Sequence, residues 1–402
     1  MRFQFDLNGL WYFQIDPDNI GVKQEWFKKE NYQYVFDKYI STIPGCWEVI
    51  DEKLKDYKGV GWYFKEFILP HEFERKKVSL VFEGVNFKTD VYLDGKLLGS
   101  HEGGFLPFYF DITGISTEEV HFLAIRVENV LYYSGIHRDV YLEFYDWMYL
   151  DEYYIDTDIE WNENNTAKSA KITIKTRFVN TMEWEFEDCT ILYVLSREKA
   201  EICREERKFN VQKHNTRLIT HQIQVPKESL FLWNIDDPQL YDLRLEVKSK
   251  DGVLFEIVEL DIGIREFEVK NNDLYLNKKK LNLKGVITEL ENPEFGLTLP
   301  KATLIKKLKE LKSKGINTIR LKDHPTEKVA LQLMDIIGFI VIEEIGPIDL
   351  KDPKTKTLIR DLIKRDYNHC CILSWNLETP EDPKRNLSLD LQKNWYSGFE
   401  RI

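Results

Sequence analysis

Cysteine is scarce: there are five in 402 residues, at positions 46, 189, 203, 370 and 371. An odd number with one adjacent pair does not make a disulfide framework, and no paired C-x-x-C offers a metal knuckle. These thiols fit a reducing cytoplasm, so a cytoplasmic protein with no metal and no other cofactor is expected. Long apolar runs are missing too. None approaches the ~18 residues of a membrane span, and the N-terminus enters DLNGLWYF with no basic, apolar, cleavable leader. No membrane partner is expected. Positive charge is in deficit, with 56 Lys and Arg against 68 Asp and Glu for a formal charge of −12. Nucleic acid demands a basic footprint, so that partner class is not expected.

Aromatic residues are abundant: 24 Phe, 20 Tyr and 10 Trp make 13 % of the chain. They favour pleated, half-buried surfaces, which points to β-sandwiches, and their faces also suit the CH faces of sugars. Up to about Asp146, VSLVFEGV (78–85), DVYLDGKLLG (90–99) and HFLAIRVEN (121–129) alternate as half-buried strands do. Asp94-Gly95 marks a two-residue hairpin, because Gly accepts the positive φ of a type I′ turn. His101 and Glu102, beside Gly103 and Gly104, read as a ligand loop or as a tight sandwich corner. Trp62 and Tyr63 read as core. From Trp147 to about Ile262 the segments KSAKITIKTRFVN, CTILYVLSRE, HQIQVP, QLYDLRLEVKS and LFEIVELDIG recur at the spacing of an immunoglobulin-like sandwich.

After Gly263 the period changes. Leu304, Ile305, Leu308 and Leu311 repeat at helical spacing, and Gly315 stands where a C-cap belongs. NTIRL, FIVIEEI and CILSWNL then alternate with TEKVALQLMDIIG and TKTLIRDLIKRD. With a strand near LNLKGVI, this predicts four strands joined by three helices, parallel and with right-handed crossovers. A closed eight-fold barrel takes about 250 residues, and only about half that follows Gly263. The expected segments are 1–146, 147–265 and 266–402.

LNGLWYFQID (7–16), IPGCW (43–47), GWYFKEFILP (61–70), FEGVNFKTDVYLDGKLLGSHEGGFLPFYFDIT (82–113), GIHRDVYL (135–142), LWNIDDPQLYDLRLEV (232–247) and GIREFEVKNNDLYLNKKKLNLKGV (263–286) resemble family 2 glycoside hydrolases, the β-galactosidase and β-glucuronidase group. The resemblance implies a jelly-roll sandwich, an immunoglobulin-like sandwich and a truncated (half) TIM-type (β/α) barrel.

RDYNHCCILSWNLETP (365–380) resembles the family's fourth barrel strand, R-D-x-N-H-P-S-[IV]-x-x-W-S-x-[GA]-N-E, whose last Glu is the acid/base. Arg365, Asp366, Asn368, His369 and Trp375 fall on the pattern, whereas Thr379 and Pro380 stand at Asn-Glu. Retaining hydrolysis needs two carboxyl groups about 5–5.5 Å apart, and the family's nucleophile strand is not found here. Glu378, Glu381 and Glu344 are the candidate substitutes for a catalytic acid. Arg320, Glu289, His324, Glu343 and Trp375 match or neighbour positions that line the family's sugar site. The expectation is a pseudo-glycosidase that handles carbohydrate without autonomous hydrolysis. The alternative is an active retaining β-glycosidase with a rebuilt site or one completed by a second chain. Open strand edges in a half barrel imply a homo-oligomer or a complementing barrel-half chain, unless the last segment covers them.

Overall fold

The structure, a computed structural model, describes residues 2–32, 38–74, 76–129, 133–271, 273–288, 290, 292–322, 324–345, 353–377 and 386–387. The chain packs as two compact units.

One unit is Arg2–Asp146 together with Leu290–Pro300. Its two antiparallel sheets have four strands (Phe3–Asp6, Val140–Tyr145, Lys77–Phe82, Phe108–Asp111) and six (Tyr39–Ile43, Gly9–Ile15, Gly59–Ile68, Val120–Asn129, Lys88–Leu93, Lys96–Glu102). Trp11, Phe13, Trp47, Tyr63, Phe82 and Phe144 fill the space between them. Trp62 points the other way, onto the outer face of the larger sheet, where Trp26 and Tyr32 help to bury it with Phe64 and Phe122. Both Trp62 and Tyr63 are therefore core. Asp94 (φ 49°) and Gly95 (φ 76°) form the expected hairpin turn. The His101 ring stacks on Phe108 at 4.0 Å, and burial pushes its pKa down to about 4, which fits the corner better than a solvent-facing loop.

The other unit is Trp147–Glu289 with Lys301–Ile402. It begins with a sandwich of three strands (Met148–Trp161, Ala167–Asn180, Asn215–Pro226) on four (Ala200–Val211, Phe186–Arg197, Tyr241–Lys248, Leu254–Ile262). Ile172, Ile174, Phe178, Ile191, Tyr193 and Leu243 alternate into its core. The strand Ala200–Val211 escaped the sequence reading because its exposed face is a run of charges. Its inner face is carried by Cys203, Phe209 and Val211.

Four parallel strands follow: β1 (Gly285–Thr288), β2 (Thr318–Leu321), β3 (Ile340–Ile345) and β4 (Ile372–Leu377). They are linked by α1 (Lys301–Ser313), α2 (Lys328–Ile337) and α3 (Pro353–Asp366). This is the expected portion of a TIM-type barrel. Ile319, Leu321 and Val341 point from the sheet into the helix layer, which supplies Leu304, Leu308, Leu331 and Met334; all are essentially buried. Gly338 ends α2 at φ 84°, and a Cβ there would meet the Ile235 carbonyl oxygen at 2.6 Å, so only glycine fits. A two-residue strand, β5 (Asn386–Leu387), pairs antiparallel with Asn376 and Trp375 of β4. The rest of the last segment, expected to cover the open strand edges unless a second chain does, lies outside the described residues.

Candidate functional site

Register decides which side chains share a face. Ile287 pairs with Arg320, Arg320 with Ile342, Ile342 with Ser374 and Glu344 with Asn376. Alternation along each strand then puts Ile287, Arg320, Ile342, Glu344, Ser374 and Asn376 on the inner face of the barrel sheet. Arg320 and Glu344 lie toward the C-terminal strand ends, where barrel sites form. The Arg320 guanidinium clasps Glu344, with Nε donating to Oε1 at 2.6 Å and Nη2 donating to the same oxygen. Ser374 Oγ donates to Asn376 Oδ1 at 3.4 Å. The sequence reading named Arg320 and Glu344 but not Ser374, Asn376 or Ile287. The two-residue period counted from Arg320 across the register would have found them.

Glu343 and Trp375 are paired in register, on the opposite face. Glu343 is 0 % exposed, accepts from Trp375 Nε1 at 3.2 Å and from Thr326 N at 3.3 Å, and lies 3.8 Å from Arg365. It faces the helix layer and does not line the barrel mouth. Arg365 itself grips Asp366 with two donors at 2.7 and 2.6 Å. Burial, and then the negative charge of Asp366, push the Glu343 carboxyl up to about 8. One guanidinium thus faces two buried acids, Asp366 in direct contact and Glu343 at 3.8 Å.

His324 follows β2 half-buried, its Nδ1 3.4 Å from the Pro325 carbonyl. Glu289, Glu378, Thr379, Pro380 and Glu381 lie outside the described residues.

The remaining motif residues hold the framework. Asp335 of α2 bonds His369 Nδ1 at 2.6 Å, accepts from Cys371 N at 2.7 Å and lies 3.3 Å from Cys370 Sγ. Burial opposes charge on His369, but the Asp335 carboxylate, with Asp366 and Glu343 behind it, raises its pKa. Asn368 accepts from Ile155 N at 2.9 Å and donates to the Tyr153 carbonyl at 3.2 Å, pinning α3 to the sandwich. Arg265 donates to the carbonyls of Cys370 and Ile372 at 2.7 and 2.9 Å. A cleft of about 860 Å³ lies beside this joint, lined in part by Asp156, Lys175, Phe267 and Tyr367. Within it Lys175 and Tyr367 both bind Asp156, the former at 2.8 Å. It sits at the N-terminal ends of the strands, away from Arg320 and Glu344.

The order of jelly roll, immunoglobulin-like sandwich and parallel β/α strands, with a polar inner face at the strand ends, defines a modular glycosidase fold. Three family models match in register: the sugar binding domain of glycosyl hydrolases family 2 over residues 5–145, the family 2 domain over 149–265 and the family 2 TIM barrel domain over 267–351. The chain belongs to glycosyl hydrolase family 2.

A β-galactosidase of Clostridium acetobutylicum is 26 % identical over 94 % of this chain and 46 % of its own length. One of Thermoanaerobacter pseudethanolicus is 27 % identical over 94 % and 50 %. The crystal structure of Bacteroides uniformis β-glucuronidase superposes with TM-score 0.80 at 20 % identity, over 94 % of this chain and 47 % of that one. The chain spans about half the length of these relatives. Among the described residues no helix is long and apolar enough to cross a membrane.

Proposed function

We propose that this chain binds carbohydrate at the inner face of its barrel strands and does not hydrolyse glycosides on its own. One observation carries the reading. Among the described residues of the four strands, Glu344 is the single carboxylate on the inner face, and it is held by Arg320. Retaining hydrolysis needs a second carboxyl about 5–5.5 Å away. Pro380 stands at the family's acid/base position and can neither donate nor accept a proton through its side chain.

Arg320, Glu344, Ser374 and Asn376 supply donors and acceptors suited to sugar hydroxyls, and Ile287 supplies an apolar face. Glu343 and Trp375 act beneath them as positioning residues. The sugar class follows the relatives: a β-galactoside or a β-glucuronide.

The test is hydrolysis of chromogenic β-glycosides by the purified chain, run beside Glu344→Gln, Glu378→Gln and Glu381→Gln. No turnover is expected, together with saturable binding of a galactoside or glucuronide in ligand-observed NMR. Turnover that one of these substitutions abolishes would replace this reading with that of an active retaining β-glycosidase with a rebuilt acid.

A further inference from the structure

We propose that the cleft of about 860 Å³ beside Arg265 is a second binding site, for a neutral saccharide, separate from the inner face of the barrel and independent of what that face binds.

Small-molecule sites are clefts of roughly 300–1,000 Å³ that form where structural layers meet. This one lies inside a single compact unit. Its walls are the strands Met148–Trp161 and Ala167–Asn180 of the sandwich, the strand Phe267–Lys270 and the turn from α3 into β4. Register builds the floor. Asp156 pairs with Thr173 and Tyr154 with Lys175, so Asp156, Asp158, Thr173 and Lys175 share the outer face of the sheet, opposite Ile172 and Ile174 of the core.

Charge selects the class of ligand. Asp156, Asp158, Glu266 and Glu268 line the cleft against Lys175 and Arg265, so phosphate or a uronate meets repulsion. The His369 imidazole does not reverse this, because Asp335 lies 2.6 Å behind it. A cation gains little either, since each carboxylate already has a lysine. Asp156 meets Lys175 at 2.8 Å, Asp158 meets Lys171 at 3.5 Å, Glu268 meets Lys270 at 2.8 Å, and Glu266 meets Lys278.

Hydroxyl groups face no such obstacle. A carboxylate offers about four lone-pair sites. Asp156 receives Lys175 on Oδ2 and the Tyr367 hydroxyl on Oδ1, which leaves acceptor capacity on both oxygens. The Asp158 side chain is 55 % exposed and presents further acceptors. Phe267 and Val269 are two residues apart on one strand and share a face. They form an apolar strip in the cleft, half-buried at Phe267 and 60 % exposed at Val269. Acceptors on one side and an apolar strip on another match a pyranose, which carries hydroxyls at its rim and CH groups on its faces.

The test is methyl NMR on the purified full chain labelled at Ile and Val, titrated with lactose and with cellobiose. Ile155, Ile262 and Val269 report on the cleft, and Ile287 and Ile342 report on the inner face of the barrel. Saturable shifts are expected at the cleft methyls with at least one of the sugars. Asp158→Ala and Phe267→Ala should each weaken that binding about tenfold. Asp158 is more than half exposed, so its variant should melt as the wild type does, and it carries the test if Phe267→Ala folds poorly. Arg320→Ala should leave the cleft shifts unchanged. Sugar shifts confined to Ile287 and Ile342 would overturn the second site, as would the absence of any shift or binding that survives both cleft variants. Tighter binding of spermidine or inorganic phosphate than of either sugar at the cleft would overturn the ligand class. Cleft shifts with none on the inner face would support this site and count against the inner-face one.

Discussion

Glu343 and Glu344 are neighbours on β3, yet their carboxylates lie on opposite sides of the sheet. Glu344 meets Arg320 on the inner face, whereas Glu343 is sealed beneath it with Trp375, Arg365 and Asp366. Folding raises Glu343 from its ordinary value of 4.5 to about 8, so the folded chain holds a proton that the unfolded chain releases. The stability this contributes is complete below about 4.5 and is lost as pH rises to about 8. Thermal melts between roughly pH 5 and pH 9 should show the wild type losing stability with rising pH and Glu343→Gln following a flatter curve. Parallel curves would remove Glu343 as the titrating group.

Trp375→Phe isolates the indole N–H. The ring volume is largely kept, but Glu343 loses a donor at 3.2 Å inside a site with no solvent access. An unsatisfied buried partner costs about 1–3 kcal/mol, and urea unfolding should show a loss of that size. A loss of sugar affinity without any loss of stability would instead mean that the indole contacts ligand.

Asp335→Ala removes the acceptor shared by His369 and the Cys371 amide. Both partners lose a buried acceptor, and breaking a buried charged pair costs about 3–5 kcal/mol. The variant is expected to unfold at markedly lower denaturant, with Asp335→Asn recovering part of the loss through its remaining carbonyl oxygen. Equal behaviour of the two variants would show that charge, not hydrogen bonding, dominates.

Gly338→Ala tests the end of α2. The new Cβ would sit 2.6 Å from the Ile235 carbonyl oxygen, at a φ of 84° that L-residues disfavour. A destabilisation above about 1 kcal/mol is expected. Gly315→Ala shares the positive φ of 76° but meets no atom within 4 Å, so it should cost less. Their difference in urea midpoint measures the contact apart from the backbone strain.

The layers of this fold were legible because their periodicities differ. Alternation marked VSLVFEGV and HFLAIRVEN as strands, and the 3.6 spacing of Leu304, Leu308 and Leu311 marked α1. The strand Ala200–Val211 was not legible, since Cys203, Phe209 and Val211 are interleaved with charges that hide the period. At the site, a motif gives residue order but not facing. Glu343 and Trp375 matched positions that line a sugar site, and register placed both against the helix layer, while Ser374 and Asn376, which matched nothing, came to the inner face. The fit of Asp366, Asn368 and His369 to the family pattern likewise reflects the framework: Asn368 ties the end of α3 to the sandwich, His369 binds Asp335 of α2, and Asp366 holds Arg365 beside Glu343 of β3.

Arg320→Ala is the sharpest probe of the proposed sugar site. The guanidinium is partly exposed on the inner face, and removing it takes away a charged donor and leaves Glu344 uncompensated. Hydrogen bonds to charged groups contribute about 1.5–3 kcal/mol, which corresponds to a loss of roughly ten- to a hundredfold in affinity for a bound galactoside or glucuronide. Arg320→Lys should recover only part of it, because an ammonium lacks the planar fork that engages two acceptors. Titration by NMR reads the affinity, and the melting temperature read alongside separates binding from folding. Should affinity survive in Arg320→Ala while stability falls, the ion pair belongs to the barrel framework, and the sugar must be sought elsewhere on the inner face, beginning with Ser374 and Asn376.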